Sequence, residues 1–344
     1  MTTRVAFLFP GQGSQAVGMG ADIYAASAAA KRVFEAVDAA LAVPLSTLCF
    51  HGPEDELRAT SNAQPAIVTV SLAILAALQE NLSPHDSSWA SPLLPAYTAG
   101  HSVGEWTALV ASGALDLAGT ARLVRERGRL MHEEGTSCPG GMAAIIGLDA
   151  EVLQEVCQQA TDQAQAELTG KIHTHPGQGR VVVANYNAPG QIVISGEARA
   201  LDLASELARA RGAKRVIPLA VSGAFHSPVM QPAALGLAQF IAQTEIHTAT
   251  IPIIGNITAT PLTTEQAIRE ELSQQVAMPV QWVRTIEYLA SVGVDTFIEI
   301  GPGQALTGMV KRIAKGTTTI AVGTVAEVEK AASLVRDKGL LDNV

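Results

Sequence analysis

Residues 96–115 read "AYTAGHSVGEWTALVASGAL". "AYTAG" is a short run of small and strand-compatible residues, and "EWTALVA" is apolar with no turn-former inside it. Between them lies G-x-S-x-G, from Gly100 to Gly104. Strand, sharp turn and helix meeting at a serine form a nucleophile elbow: the glycines let strand and helix approach closely while the turn points the Ser102 hydroxyl outward. The helix N-terminus that follows favours negative charge developing beside it. The stretch therefore predicts a parallel α/β sheet with a reactive serine at the end of one strand.

The N-terminal "RVAFLFPGQGSQAVGMG" (4–20) is a second apolar strand running into a glycine loop. Gly11, Gly13 and Ala16 satisfy the relaxed dinucleotide fingerprint G-x-G-x-x-G/A, but that fold also needs a second strand soon after the first helix. Here "YAASAAAKRVFEAVDAALA" (24–42) and "AQPAIVTVSLAILAALQENL" (63–82) both read as helices, and Glu35 and Asp38, at the distance of a ribose-binding acid, fall inside the first. The dinucleotide reading is left a minor alternative.

Residues 84–95 read as a surface connection. From 141 to 220 the order is strand, helix, strand, strand, helix, strand, with the first helix starting at Asp149, "RVVVANYN" and "QIVISG" as the middle strands, and "AKRVIPLAV" (213–221) as the last. That is a ferredoxin-like unit. It is expected as a small subdomain spanning 140–220, inserted in an α/β-hydrolase-like parallel-sheet body of 1–139 and 221–344. Beyond it, "TIPIIGN", "DTFIEIG" and "TTIAVG" read as strands, and "AIREELSQQVAM", "VQWVRTIEYLASVG", "GQALTGMVKRIAKG" and the segment from 325 as helices.

With 344 residues, 48% hydrophobic and 4% aromatic, the chain can bury a large core rich in small side chains, which suits helices packed on a parallel sheet. A net charge of −9 argues against nucleic acid as a partner. Cys49, Cys138 and Cys157 are widely spaced, which indicates neither disulfides nor a thiolate metal site. No signal-peptide or membrane-span pattern is read, so the expectation is a cytoplasmic protein with no membrane contact. "HTH" at 173–175 is expected as a solvated loop without acidic or cysteine neighbours rather than half of a metal site. No metal and no cofactor are expected.

A nucleophilic serine needs a base. His226, in "SGAFHSPVM", follows a strand at a turn bounded by Pro228. A large part of the chain follows it, unlike the hydrolase order in which the histidine lies near the end. Arg127 stands out in "DLAGTARLVRERGRLMHEEG", where Leu117, Ala121, Val124, Gly128 and Met131 form one helical stripe and Arg122, Arg125 and Arg129 share another face. It lies at the edge of the inward stripe, where a guanidinium without an anion is costly. A structural carboxylate and a substrate carboxylate are both open as its partner.

"FPGQGSQ", "GHSVGE", "RERGRLM", "ANYNAPGQIVISG", "GAFHSP", "QVAMPVQW" and "IEIGPGQALTGM", in this order over nearly the whole chain, together resemble the malonyl-CoA:acyl carrier protein transacylases of fatty-acid and polyketide synthesis. The resemblance implies a ping-pong transfer of malonyl from malonyl-CoA to the phosphopantetheine thiol of an acyl carrier protein, with Ser102 as nucleophile and His226 as base and acid. It further implies an oxyanion hole from the backbone N–H groups of Gln12 and Val103, and a backbone carbonyl at Gln275, whose side chain need not matter, orienting His226. Arg127, Met131, Phe225 and Asn187 then form the substrate site, with Phe225 leaving little room for an α-branched acyl group. A monomer is expected, with Lys214 and Arg215 as the basic residues that meet an acidic carrier. The chain departs from the family in a long polar 161–180, in Val103 and Trp106 where Leu and Tyr are frequent, and at 84–95. An acyl hydrolase of the same fold is the alternative.

Overall fold

The computed structural model describes residues 4–82, 94–170 and 175–337. Most of the 84–95 connection and His173 of the "HTH" stretch lie outside them. The chain starts with β1 (Val5–Phe9), buried along its whole length, as befits an apolar strand covered on both faces. The helices α1 (Ala21–Ala26), α2 (Ala28–Leu41), α3 (Leu45–His51), α4 (Glu54–Arg58) and α5 (Thr60–Leu82) precede β2 (Tyr97–Gly100), α6 (Gly104–Ala111) and α7 (Leu117–Ser137).

A separate antiparallel layer follows: β3 (Gly140–Ile146), α8 (Ala150–Glu167), β4 (Val181–Ala188), β5 (Gln191–Glu197), α9 (Ala198–Ala210) and β6 (Arg215–Pro218). The chain returns to the first layer with α10 (Gln231–Ala242), β7 (Ile253–Ile254), β8 (Pro261–Leu262), α11 (Glu265–Gln274), α12 (Trp282–Ser291), β9 (Thr296–Ile300), α13 (Ala305–Ile313), β10 (Thr318–Val322) and α14 (Val325–Asp337).

The larger sheet runs β10-β9-β1-β2-β7-β8 and is parallel except for the last pair. Phe9 is in register with Gly100, so the loops after β1 and β2 leave the sheet side by side at its C-terminal edge, where ligands of open parallel sheets bind. The smaller sheet runs β4-β5-β3-β6, antiparallel throughout, with Leu153, Val156 and Ala160 of α8 and Ala200 and Ala204 of α9 packed over Ile145, Val183 and Ile194. α5 is long and apolar enough to cross a membrane by length and composition, yet its apolar window is 89% buried inside the protein, against α2, α7 and α14.

Several elements differ from the sequence expectation. The helix expected over 24–42 breaks at Ser27, whose extended backbone lets its Oγ accept the Ala30 N–H at 3.0 Å and donate to Glu80 Oε2 at 2.6 Å. The strand expected over 250–256 shrinks to β7, because its continuation forms the turn that carries Asn256. The helix expected over 267–278 ends at Gln274 and tightens into a 3₁₀ turn, Gln275–Ala277. The last strand of the small sheet covers only 215–218 of the expected 213–221. α3, α4 and α10 were not anticipated.

Candidate active site

The elbow is as tight as its glycines require. A Cβ on Gly100 would lie 2.0 Å from the Gly104 carbonyl carbon, and one on Gly104 would lie 2.2 Å from the Phe9 carbonyl oxygen, so β2, α6 and the β1 loop meet where no side chain fits. Ser102 pays with a left-handed backbone, φ 51°. A non-glycine residue in that region costs about 1–3 kcal/mol and needs neighbours that over-determine it. They are present: the Ser102 N–H donates to Asn256 Oδ1 at 2.7 Å, its carbonyl accepts from Gln275 Nε2 at 2.9 Å, and Asn256 Nδ2 donates to the Gly100 carbonyl at 2.7 Å.

His226 is likewise left-handed, φ 57°, and buried. Its N–H donates to the Val276 carbonyl at 2.9 Å, which docks the segment before α10 onto the 3₁₀ turn. The ring is fixed by chemistry on both sides. Nδ1 lies 2.9 Å from the Gln275 carbonyl and 3.0 Å from that of Met278. Carbonyls only accept, so Nδ1 carries the proton and Nε2, 2.7 Å from Ser102 Oγ, is the acceptor for the serine proton. Burial, followed by the Arg127 charge and His101, pushes the His226 pKa down to about 3, so the ring is a neutral base at neutral pH.

Arg127, on α7, is buried to 1% exposure rather than sitting at the edge of its stripe. Its Nη1 donates to Gln64 Oε1 at 2.6 Å, and its Nη2 to Gln275 Oε1 at 2.9 Å and to Ser102 Oγ at 3.2 Å. No carboxylate among the described residues bonds the guanidinium, and its Nε–H has no acceptor there. Burial lowers its pKa to about 9, against the opposing pull of Glu105. A cation held by neutral amides, aimed at the nucleophile, can take a carboxylate that arrives with a substrate.

The backbone N–H groups of Gln12 and Val103 bond to no protein acceptor among the described residues, and the two loops touch: a Cβ on Gly11 would lie 2.5 Å from the His101 carbonyl oxygen. Two uncommitted N–H groups flanking a nucleophile can stabilise an oxyanion. Met131 and Phe225 are buried in the core of the large layer, Met131 Sδ accepting from Gln64 Nε2 at 3.3 Å. Asn187, on β4 of the small layer, faces the residue before the nucleophile: its Oδ1 lies 2.8 Å from His101 Nε2. Among the described residues no cluster of three or more His, Cys, Asp or Glu side chains is placed to hold a metal ion.

The Gln275 side chain, expected as dispensable, does enter the site, because the 3₁₀ turn points both its carbonyl and its amide there, linking Arg127, Ser102 and Glu105. His175 is not solvated: its Nε2 lies 3.0 Å from Glu134 Oε2, and its Nδ1 accepts from the Gly177 N–H at 3.0 Å. Gln64, Asn256 and Glu105 were missed as parts of the site. Only Glu105 carried a signal, a charged residue on an otherwise apolar helix three places after the serine.

The sequence model of the acyl transferase domain matches residues 6–340. The chain is 43% identical to the malonyl CoA-acyl carrier protein transacylase of Bacillus subtilis over 98% of each sequence. It is 38% identical to that of Escherichia coli, over 96% of this chain and 100% of the relative. Among solved structures, an acyl-carrier-protein S-malonyltransferase from Bartonella henselae superposes with a TM-score of 0.86 at 39% identity, covering 98% of this chain and 100% of that one. A malonyl-transacylase in complex with its type II PKS acyl-carrier protein gives 0.85 at 36% identity, covering 96% and 100%.

Proposed function

Because the chain belongs to the acyl transferase domain family, we propose that it transfers malonyl from malonyl-CoA to the phosphopantetheine thiol of an acyl carrier protein through an acyl-serine. One observation carries the reading: the hydroxyl that hydrogen-bonds a neutral His226 also accepts from Arg127, a buried guanidinium with no carboxylate bonded to it among the described residues. Ser102 Oγ attacks the thioester carbonyl carbon while His226 Nε2 takes its proton. The carbonyl oxygen, now negative, is met by the N–H groups of Gln12 and Val103, each contributing about 3 kcal/mol. As the C–S bond breaks, His226 returns the proton to the leaving CoA thiol. The carrier thiol then gives its proton to His226 and attacks the acyl-serine, and the serine leaves with that proton. Arg127 holds the malonyl carboxylate throughout, with Met131, Phe225 and Asn187 completing the substrate site.

The body, 1–139 and 221–344, is on this reading a hydrolase-like fold, and 140–220 a ferredoxin-like subdomain whose β4-β5-β3-β6 order fits that unit. The enzyme acts as a cytoplasmic monomer. Lys214 and Arg215 stand exposed at β6, an edge strand that leads toward His226, where an acidic carrier would dock. Intact mass after mixing with malonyl-CoA should show one added malonyl group, discharged by phosphopantetheinylated carrier. Free malonate released as fast without carrier as with it would make the protein a hydrolase instead.

A further inference from the structure

Glu105 is completely buried on the first turn of α6 and has no place in the mechanism above. Burial and the nearby Glu271 push its pKa well above the ordinary carboxylate range, against the pull of Asn256, Gln275 and Arg127, and its two oxygens accept from three N–H groups. Oε1 accepts from the Asn256 backbone N–H at 2.8 Å and from Asn256 Nδ2 at 3.1 Å, and Oε2 accepts from Gln275 Nε2. Both of these amides reach the reacting residues with their other end: Asn256 Oδ1 holds the Ser102 N–H, and Gln275 Oε1 holds the Arg127 guanidinium. An amide is nearly symmetric in shape and opposite in polarity at its two ends, so the acceptors on one side decide which way it points; for Gln275 Nε2 these are Glu105 Oε2 and the Ser102 carbonyl.

We infer that Glu105 is a positioning residue for acyl-group selection: together with the Ser102 carbonyl it holds Gln275 Nε2, so that Gln275 Oε1 faces Arg127 and keeps the guanidinium in place to receive a substrate carboxylate. The relay rests on the reading that Arg127 binds malonyl. A glutamine at 105 offers one oxygen to three donors. That oxygen goes to the Asn256 side, where two donors converge and one is a backbone N–H that cannot turn. Its NH₂ then faces Gln275 Nε2, and the conflict is relieved by turning Gln275, which gives up its bond to the Ser102 carbonyl and sets N–H against N–H at Arg127. Glu271, buried nearby and bonded to the Ile257 N–H at 2.7 Å, still supplies a carboxylate to the cluster. The defect therefore falls on the group that holds a carboxylated substrate, and an acetyl group makes no such bond.

The test compares the rates of Ser102 acylation by malonyl-CoA and acetyl-CoA, followed by intact mass, in the full-length wild type, Glu105→Gln, Gln275→Leu and the double variant. Taking the malonyl-to-acetyl ratio within each variant cancels differences in folded fraction. Glu105→Gln is expected to lower the ratio about tenfold, the scale of one charge-assisted hydrogen bond. Gln275→Leu should lower it comparably, and in that background Glu105→Gln should change it no further. An equal loss for both acyl groups in Glu105→Gln overturns the relay, as does a further fall of the ratio in the double variant. If Glu105→Gln does not fold, an unchanged ratio in Gln275→Leu overturns it on its own. A wild type that takes up no malonyl group would instead sink the assignment of Arg127, whereas a malonylated wild type with an unchanged ratio in Glu105→Gln sinks only the relay.

Discussion

The two layers solve different physical problems. The small antiparallel layer is regular apart from two register shifts in β4: its helices bury Leu153, Val156 and Ala204 on one face, expose ion pairs such as Arg199–Glu167 on the other, and hold a core of their own. The C-terminal edge of the parallel sheet is irregular. It places Ser102 and His226 in left-handed backbone and buries Arg127, Glu105 and Glu271 together. Regular packing stabilises, whereas reactive geometry requires polar groups taken out of water and held by one another. The small layer reaches the elbow through the Asn187–His101 hydrogen bond.

The sharpest way to break this contrast is at the serine. Ser102→Ala should abolish acyl capture, with residual transfer lower by at least about 10⁴-fold as for other serine nucleophiles, while the circular dichroism spectrum is retained. Labelling of that variant at the wild-type rate would move the chemistry elsewhere.

Arg127→Ala should cost malonyl transfer at least about tenfold in kcat/KM, because a charge-assisted bond contributes roughly 1.5–3 kcal/mol. Acetyl turnover should be spared, since an acetyl group has no carboxylate for the guanidinium to hold. A parallel fall for both thioesters would mark Arg127 as structural and erase the distinction between site and scaffold.

A pH series probes the burial itself. His226 titrates near 6.5 in the unfolded chain and about 3 in the fold, so the folded state binds fewer protons in between. Its contribution to stability is present above the unfolded value and is lost as pH falls from about 6.5 towards 3, by at most about 1.4 kcal/mol per pH unit. Acylation should accordingly stay flat from pH 8 to about pH 5. An acylation rate falling with a midpoint near 6.5 would show that the ring is solvated in the working enzyme.

The smallest effect is expected in the regular layer. Charge reversal at Lys214 and Arg215, both exposed, should weaken carrier transfer a few-fold and flatten its salt dependence while self-acylation by malonyl-CoA is untouched. Equal loss in both half-reactions would mean that the edge strand carries folding, not docking.

Much of this arrangement was legible in order along the chain. β1 is a continuous apolar run, α8 and α9 are amphipathic, and the small layer's alternation of strand and helix emerged in sequence because most of its elements keep one period over several turns or pleats. Elements shaped by single capping or turn groups were misjudged. Ser27 interrupts a continuous alanine-rich pattern only because Glu80, far along the chain, takes its hydroxyl. β7 stops after two residues because Asn256 is needed below the elbow.

What the sequence by itself determined was the chemistry available: a serine between two glycines that permit a left-handed turn, a histidine in a turn of its own, and an arginine on an amphipathic helix beside apolar neighbours. Tertiary structure alone decided what those groups became. Arg127 and Gln64 are 63 positions apart, and Ser102 and Gln275 are 173 apart, so no local pattern registers them as partners. Local propensity acts over a turn or a pleat, but a buried polar group must be satisfied by whatever the packed chain brings within about 3 Å. The tautomer of His226, the neutral amides around Arg127 and the convergence of three N–H groups on Glu105 exist only once the sheet has set its C-terminal loops side by side.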